Sequence, residues 1–397
     1  MKKIIKKGAE SLKQTVTNFT RELIRIPSIT GNEGQVIERI KTEMIHLGFE
    51  DIQIDKMGNL RGKLGSGNKI LAIDGHVDTV DIGNLQCWEF DPFQGKFENE
   101  VIFGRGACDQ KGGLASAIYT GSLLQEIGLP KSITLYIVAS VQEELYEGVN
   151  WQFLMNKEKL IPDAVIITEP SNLNIAIGHR GRVDIKVQTT GLSSHGAAPE
   201  LGENAIYKMI PIVSDIEKLD ANLKADPIFG KGNISITEIS STSPSVNAIP
   251  DNSTIHIDRR LSSVDSEESV LNEIKSLDSV KRVKGEVFIP EHNFQSITGF
   301  TYPIKAYYPS WFMEESHSLV QTAIRAYKTQ FETNPVLYYW RFSTNGTATK
   351  GIFDIPTIGF GPGDEKYAHT IQDQVPVEHL VKAMEFYAQF VELWGKI

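Results

Sequence analysis

The stretch Lys69-Ile70-Leu71-Ala72-Ile73-Asp74-Gly75-His76-Val77-Asp78 decides the fold. Lys69 to Asp74 reads as a buried strand, an apolar run that stops at Gly75-His76. The figure recurs twice downstream. Ser132 to Ser140 is apolar and ends at Gln142-Glu143-Glu144, and Ala164 to Thr168 ends at Glu169-Pro170. Gly112 to Ile127 reads as a helix with two glycines at its start. Strands alternating with helices predict an α/β fold with a mixed, mostly parallel sheet flanked by helices. Ligands of such sheets gather at the carboxyl ends of the strands. The histidine and carboxylate clusters of this chain stand at those ends.

Upstream, residues 9–25 and 34–47 read as amphipathic helices. In the second, Val36, Ile37, Ile40, Met44 and Leu47 recur at helical spacing, with Gly48 as a stop. Short strands, Ile52 to Ile54 and Leu60 to Leu64, flank the turn Met57-Gly58-Asn59. The pattern changes after about residue 178. Val183 to Val187 alternates as a half-buried strand, a helix runs from about Asn204 to Leu219, and Ile234 to Ile239 and Thr254 to Ile257 alternate again. A helix near Ser266 to Leu277 and a strand Gly285 to Ile289 follow. This predicts an α+β domain over 179–296 inserted into an α/β domain made of 1–178 and 297–397, with a last helix from Val377 to Leu393.

The 397 residues exceed what one hydrophobic core usually serves, which agrees with two domains. A hydrophobic content of 41% with 23% charged residues is that of a globular protein. The net charge of −10 argues against a nucleic-acid partner, which calls for a basic surface. Two cysteines, Cys87 and Cys108, cannot build a disulfide framework, so a reducing compartment, the cytoplasm, is expected. The start Met1-Lys2-Lys3-Ile4-Ile5-Lys6-Lys7 lacks the apolar core of a signal peptide. No run of apolar residues is long enough to span a membrane.

Histidines and carboxylates occupy five places: His76-Val77-Asp78, Asp109, Glu143-Glu144, Glu169 and His369. Zinc takes histidine nitrogen and carboxylate oxygen. Two such ions, about 3.5–4 Å apart, need a bridging carboxylate and a histidine each. The spacing His76-x-Asp78 offers a carboxylate to hold the histidine ring, because residues two apart on a strand point the same way. A hydrolase also needs a general base near the attacking water, and adjacent Glu143 and Glu144 can divide the labour of base and ligand.

These segments resemble the M20 family of metallohydrolases, which includes succinyl-diaminopimelate desuccinylase, acetylornithine deacetylase, aminoacylase and glutamate carboxypeptidase. The resemblance rests on Gly75-His76-Val77-Asp78-Thr79-Val80, on Gly104 to Gly113, on Gln142-Glu143-Glu144 and on Thr168-Glu169-Pro170. It continues through Ser194-His195-Gly196, Gly202-Glu203-Asn204-Ala205, Asn247-Ala248-Ile249-Pro250, Asp258-Arg259-Arg260, Gly361-Pro362-Gly363 and Ala368-His369, from about residue 70 to 370 in the family's order. Within the family the YgeY-type branch, linked to selenium metabolism, is the nearest likeness.

The resemblance implies two divalent metal ions, zinc first, with cobalt or manganese as alternatives. It makes Asp109 the bridge, followed by a cis peptide bond. His76 and Glu169 complete one metal, Glu144 and His369 the other, and Asp78 orients His76. Glu143 is the general base. His195 stabilises the oxyanion and, in a homodimer formed through a lid and dimerisation domain at 179–296, acts in the partner's site. Asn247 and Arg260 are substrate-carboxylate contacts. The implied substrate is a small amide or peptide, cleaved by a peptidase, deacylase or ureido amidohydrolase. Cys108 and Gln110 depart from the serine or threonine and the methionine common in the family, and neither removes a ligand.

Some readings stay open. Alternation puts His256, Asp258 and Arg260 on one strand face, so Arg260 is either a substrate contact or half of a structural pair with Asp258. Arg180 and Arg182 straddle Gly181 as hinge or binding residues. Cys108 reads as a packed residue. A non-catalytic metal-binding or scaffold protein on the same fold is the alternative to the hydrolase, and the presence of Glu143 argues against it. A two-metal phosphatase would need a phosphate cradle, for which Gly112-Gly113 is the candidate.

Overall fold

In the computed structural model, which describes residues 1–223 and 225–397, the chain separates into two units. The first comprises Met1–Gly178, Phe294–Tyr302 and Phe312–Ile397, the second His179–Asn293 and Pro303–Trp311.

The first unit is built on a sheet whose strands follow the order Glu50–Ile54, Leu60–Leu64, Ile133–Ser140, Lys69–His76, Ala164–Ile167, Thr357–Gly359, Ile175–His179. Ile133–Ser140, Lys69–His76, Ala164–Ile167 and Thr357–Gly359 are mutually parallel, and antiparallel strands flank them. The sheet is therefore mixed with a parallel centre, as the sequence predicts. Leu71, Ala72, Ile73, Leu135, Ile137, Val165 and Ile166 are fully buried, which is why these runs are continuously apolar rather than alternating. Each leucine, isoleucine or valine among them contributes roughly 1.5–3 kcal/mol by leaving water. The helix Gly112–Ile127 is buried nearly all round and packs against the final helix Val377–Trp394.

The expected helix over 9–25 is two helices, Lys2–Ser11 and Lys13–Ile24, joined at Leu12. The first begins seven residues before the expected start because Ile5, Gly8 and Ala9 make a buried stripe among lysines; a Cβ on Gly8 would stand 2.4 Å from Leu123. The sequence reading also passed over the helix Ser318–Phe331 and the strand Thr357–Gly359, which completes the parallel centre.

The second unit is an antiparallel sheet in the order Asn233–Thr242, Asn252–Arg260, Arg182–Thr190, Glu286–Phe288. Val183, Ile185, Val187, Ile255 and Ile257 point into a core closed by Met209, Ile212 and Ile216 of the helix Ala205–Asn222. Pro303–Trp311, which the sequence reading gave to the last segment, groups here because Tyr307 and Tyr308 pair with Val183 and Arg182. Among the described residues, no helix is long and apolar enough to cross a membrane.

Candidate metal centre

The parallel strands end side by side, and the centre is assembled from residues at and just past those ends. His76 closes Lys69–His76, in register with Ser140 at the end of its neighbour. Gln142 takes a left-handed φ of 61°, which turns the chain sharply into Glu143 and Glu144. Glu169 lies just past Ala164–Ile167, and His369, itself at φ 60°, comes from the loop after Thr357–Gly359. Asp109 arrives differently, from the irregular turn Ala107–Lys111 before the helix Gly112–Ile127. The peptide bond Asp109–Gln110 is cis, as the resemblance implied. Close backbone approach explains two motif glycines. A Cβ on Gly113 or Gly361 would stand 2.3 or 2.2 Å from the carbonyl oxygen of Thr168, so both turns press against the segment that carries Glu169.

The side chains converge. His76 Nε2 lies 2.9 Å from Asp109 Oδ1, 3.4 Å from Glu169 Oε1 and 3.8 Å from Glu143 Oε2. His369 Nε2 lies 2.9 Å from Glu144 Oε2 and 3.2 Å from Asp109 Oδ2. Asp109 thus turns one oxygen to each histidine, the disposition of a bridging carboxylate. Donor atoms of His76, Glu143 and Glu169 lie within 4.8 Å of one another, as do those of His76, Asp109 and Glu144. The geometry alone therefore leaves Glu143 close enough to be a ligand as well as a base.

The electrostatics are those of crowded, dry carboxylates. Burial pushes Glu169 up to about 8, with Asp109 adding to the shift. Burial also raises Glu143 well above the carboxylate range against the pull of His76, and raises Glu144, with Asp109 adding to it. Burial alone would raise Asp109, but hydrogen bonds from His369 and His76 overcome it and bring its pKa down. Burial alone would lower His76, yet Glu169, Asp109 and Asp78 hold it well above its usual value. Bonds to Asp109 and Glu144 raise His369 to about 10. Glu143 Oε1 is buried without a hydrogen-bond partner. Two imidazoles among four acidic side chains form a nitrogen and oxygen donor set with surplus negative charge, which fits divalent cations of the zinc type.

Asp78 holds His76 by another route than the strand spacing predicts. The imidazole Nδ1 faces the main-chain carbonyl of Asp78 at 2.9 Å, while the Asp78 carboxylate stands 3.5 Å away. The strand stops at His76, so the two-residue alternation no longer applies beyond it. The carboxylate instead accepts the N–H groups of Glu143 and Glu144, each at 3.1 Å, and the Thr30 hydroxyl at 2.8 Å. Asp78 therefore braces Glu143 and Glu144 together.

The other candidate residues lie in the second unit. His195 and Asn247 are exposed and adjacent there: His195 bridges Ala248, and Gly196 donates its N–H to the Asn247 carbonyl at 2.7 Å. His195 Nδ1 accepts the N–H of Ala197 at 3.0 Å, which puts the ring proton of the neutral imidazole on Nε2. Arg260 forks onto Asp258 at 2.8 and 3.1 Å, the structural alternative left open by the sequence. Cys108 is buried, and its thiol meets the Asp364 carbonyl at 3.3 Å.

Sequence reasoning missed Glu33, Arg105 and Asp373. Glu33 is fully buried and accepts the Gln142 N–H at 3.1 Å, which steadies the turn before Glu143. A charged residue at a position that folds to the interior carries no periodic signal, so only the fold reveals it.

The model of peptidase family M20/M25/M40 matches residues 72–393. The chain is 40% identical over 392 residues to the uncharacterised protein YgeY of Escherichia coli strain K12, covering 99% of this chain and 97% of that one. It is 27% identical over 398 residues to a succinyl-diaminopimelate desuccinylase of Ehrlichia canis strain Jake, covering 96% and 98%. Among solved structures it shares a fold with the YXEP protein of Bacillus subtilis, described as a dinuclear metal-binding peptidase, at a TM-score of 0.71, 14% identity and coverage of 98% and 99%.

Proposed function

This chain belongs to peptidase family M20/M25/M40 and is a hydrolase, and from that membership we propose that it cleaves an amide-type bond of a small, carboxylate-bearing substrate with two divalent metal ions. His76, Asp109 and Glu169 would hold one ion, and Asp109, Glu144 and His369 the other. The observation that carries the reading is Asp109, whose two oxygens face different histidines at 2.9 and 3.2 Å. Such a pair of ions, when bound, would polarise the scissile carbonyl and acidify a water. Zinc is the first candidate, and cobalt and manganese suit the same donors.

Glu143 is the base. It sits 3.8 Å from His76 and has one buried oxygen without a partner. It takes the proton of the attacking water and returns it to the leaving nitrogen. Asp78 fixes its main chain, so the carboxylate is aimed before substrate arrives. His195, with its proton on Nε2, donates to the developing oxyanion. Asn247 stands beside it as a substrate contact. Arg260 is assigned to the structure of its own strand, since its fork is occupied by Asp258.

His195 acts in the site of a second copy of the chain, through a homodimer made by 179–296. Asn233–Thr242 is an edge strand, and Leu192, Leu201, Tyr207, Ile210 and Ile239 of this unit are each more than half exposed. An unpaired edge beside exposed apolar side chains suits pairing with an identical partner.

The test is turnover of N-acyl amino acids, dipeptides and ureido acids by protein loaded with zinc, cobalt or manganese. One of these classes should be hydrolysed, and Glu143→Gln should slow the reaction by a factor of about 10²–10⁴ without loss of metal. Equal turnover by the metal-stripped protein would refute the reading.

A further inference from the structure

Outside the donor set, one ion pair touches several of the segments that carry it. Asp373 is wholly buried. Its Oδ1 accepts the Cys108 N–H at 2.8 Å, and its Oδ2 accepts the Gly106 N–H at 2.7 Å. Its carbonyl accepts the Gly104 N–H at 3.0 Å. One residue thus clamps the main chain that leads into Asp109. Arg105 is 3% exposed and gives Asp373 Oδ2 a bond from Nη1 at 3.2 Å. The same Nη1 donates to the carbonyl of Thr370, next to His369, at 3.2 Å. Nη2 donates to the carbonyl of Asp81, in the loop beyond His76 and Asp78, at 3.3 Å. The guanidinium lies over Trp88, 5.2 Å from its ring centroid.

A buried ion pair is a poor source of stability, because desolvation offsets most of the attraction. Its value lies in direction. Here the planar fork of arginine and both oxygens of the aspartate are used to join the His76, Asp109 and His369 segments. We propose that Arg105 and Asp373 are a positioning pair that holds the His369 segment at a fixed distance from Asp109, so that the second metal-binding half forms. The inference rests on the two-ion reading above.

The halves differ in what else supports them. His76 is 1% exposed at the end of a central strand and is braced by the Asp78 carbonyl, and the Glu169 side chain is 3% exposed. His369 is 52% exposed and stands in a loop whose next residue, Thr370, is tied by Arg105. Loosening the pair therefore weighs more on the Asp109–Glu144–His369 half, since the other half keeps the Asp78 carbonyl against His76 and the buried Glu169.

The experiment is the binding of cobalt(II) to metal-stripped protein, followed by equilibrium dialysis and by the visible absorption of the bound ion. Wild type, Asp373→Asn and Arg105→Lys are compared, with the thermal midpoint of each metal-free protein measured beside them. The asparagine presents an N–H where a main-chain N–H must be accepted. The lysine keeps the charge but cannot reach Asp373, Thr370 and Asp81 together. Wild type is expected to bind two ions. Both variants should bind the first within about threefold of wild type and the second about 10–100-fold more weakly, the usual cost of losing a support behind a ligand. Saturating cobalt should restore kcat with KM unchanged. A protein loosened at large would lose both ions together and would not recover. If Asp373→Asn does not fold, Arg105→Lys decides alone. Two ions bound by the variants as tightly as by wild type, or both weakened equally, would overturn the pairing role and leave the two-ion reading standing. A wild type that binds fewer than two ions would sink that reading, and the pairing role with it.

Discussion

The metal centre of the first unit and the His195–Asn247 loops of the second solve opposite problems. At the centre, charged groups are buried and tied across long stretches of sequence: Asp78 to Glu143 and Glu144, His76 to Asp109, Asp373 to Cys108. Around His195 the side chains are exposed, and the two loops are joined through main chain, His195 bridging Ala248 and the Gly196 N–H donating to the Asn247 carbonyl. A buried charge must have its partners built in, since an unpaired one costs several kcal/mol. An exposed side chain keeps its capacity for another molecule. The first region is held by bonds that the fold itself supplies, and the second presents side chains that the fold leaves exposed.

The comparison breaks first at Glu143. Glu143→Gln should reduce turnover by a factor of about 10²–10⁴, the range for a lost general base, with metal content unchanged by elemental analysis. Near-normal turnover would move the base elsewhere and leave Glu143 as a ligand.

His195→Ala should cost about 10²–10³ in kcat, as for a lost oxyanion donor. Mixed dimers of His195→Ala and Glu143→Gln chains should regain activity, because one site then holds both an intact Glu143 and the partner's histidine. Verified mixed dimers as inactive as their parents would place His195 in its own chain's site or outside catalysis.

A core substitution sharpens the separation of the units. Ile257 is fully buried in the second, so Ile257→Ala should destabilise that unit by about 2–5 kcal/mol. Calorimetry should find a lowered transition while the cobalt isotherm stays as in wild type. A weakened isotherm would couple the two units through more than the chain.

Arg260→Ala should have the smallest effect, within about twofold in kcat/KM, since its pair with Asp258 is partly exposed and lies within its own strand. A rise in KM of tenfold or more would return Arg260 to the substrate.

Much of this was legible in the sequence. Continuous apolar runs ending in His, Glu-Glu and Glu marked three of the parallel strands and the donors His76, Glu143, Glu144 and Glu169, because burial on both faces and chemistry at strand ends leave those marks. Alternation over residues 254–260 put Asp258 and Arg260 together, although it left open what Arg260 does. What escaped was set by tertiary distance. The route by which Asp78 braces the site depends on where the strand stops. Arg105 and Asp373 are 268 positions apart, and nothing local marks either as half of a pair. The strand Thr357–Gly359 is too short to carry a period.

The most direct measurement is the anomalous diffraction of zinc-loaded crystals. The account predicts two peaks about 3.5–4 Å apart, one reached by His76 and Glu169 and the other by Glu144 and His369. Each should touch one oxygen of Asp109, with Glu143 outside coordination distance of both. A single peak, or Glu143 bound directly to metal while Asp109 touches only one ion, would contradict it.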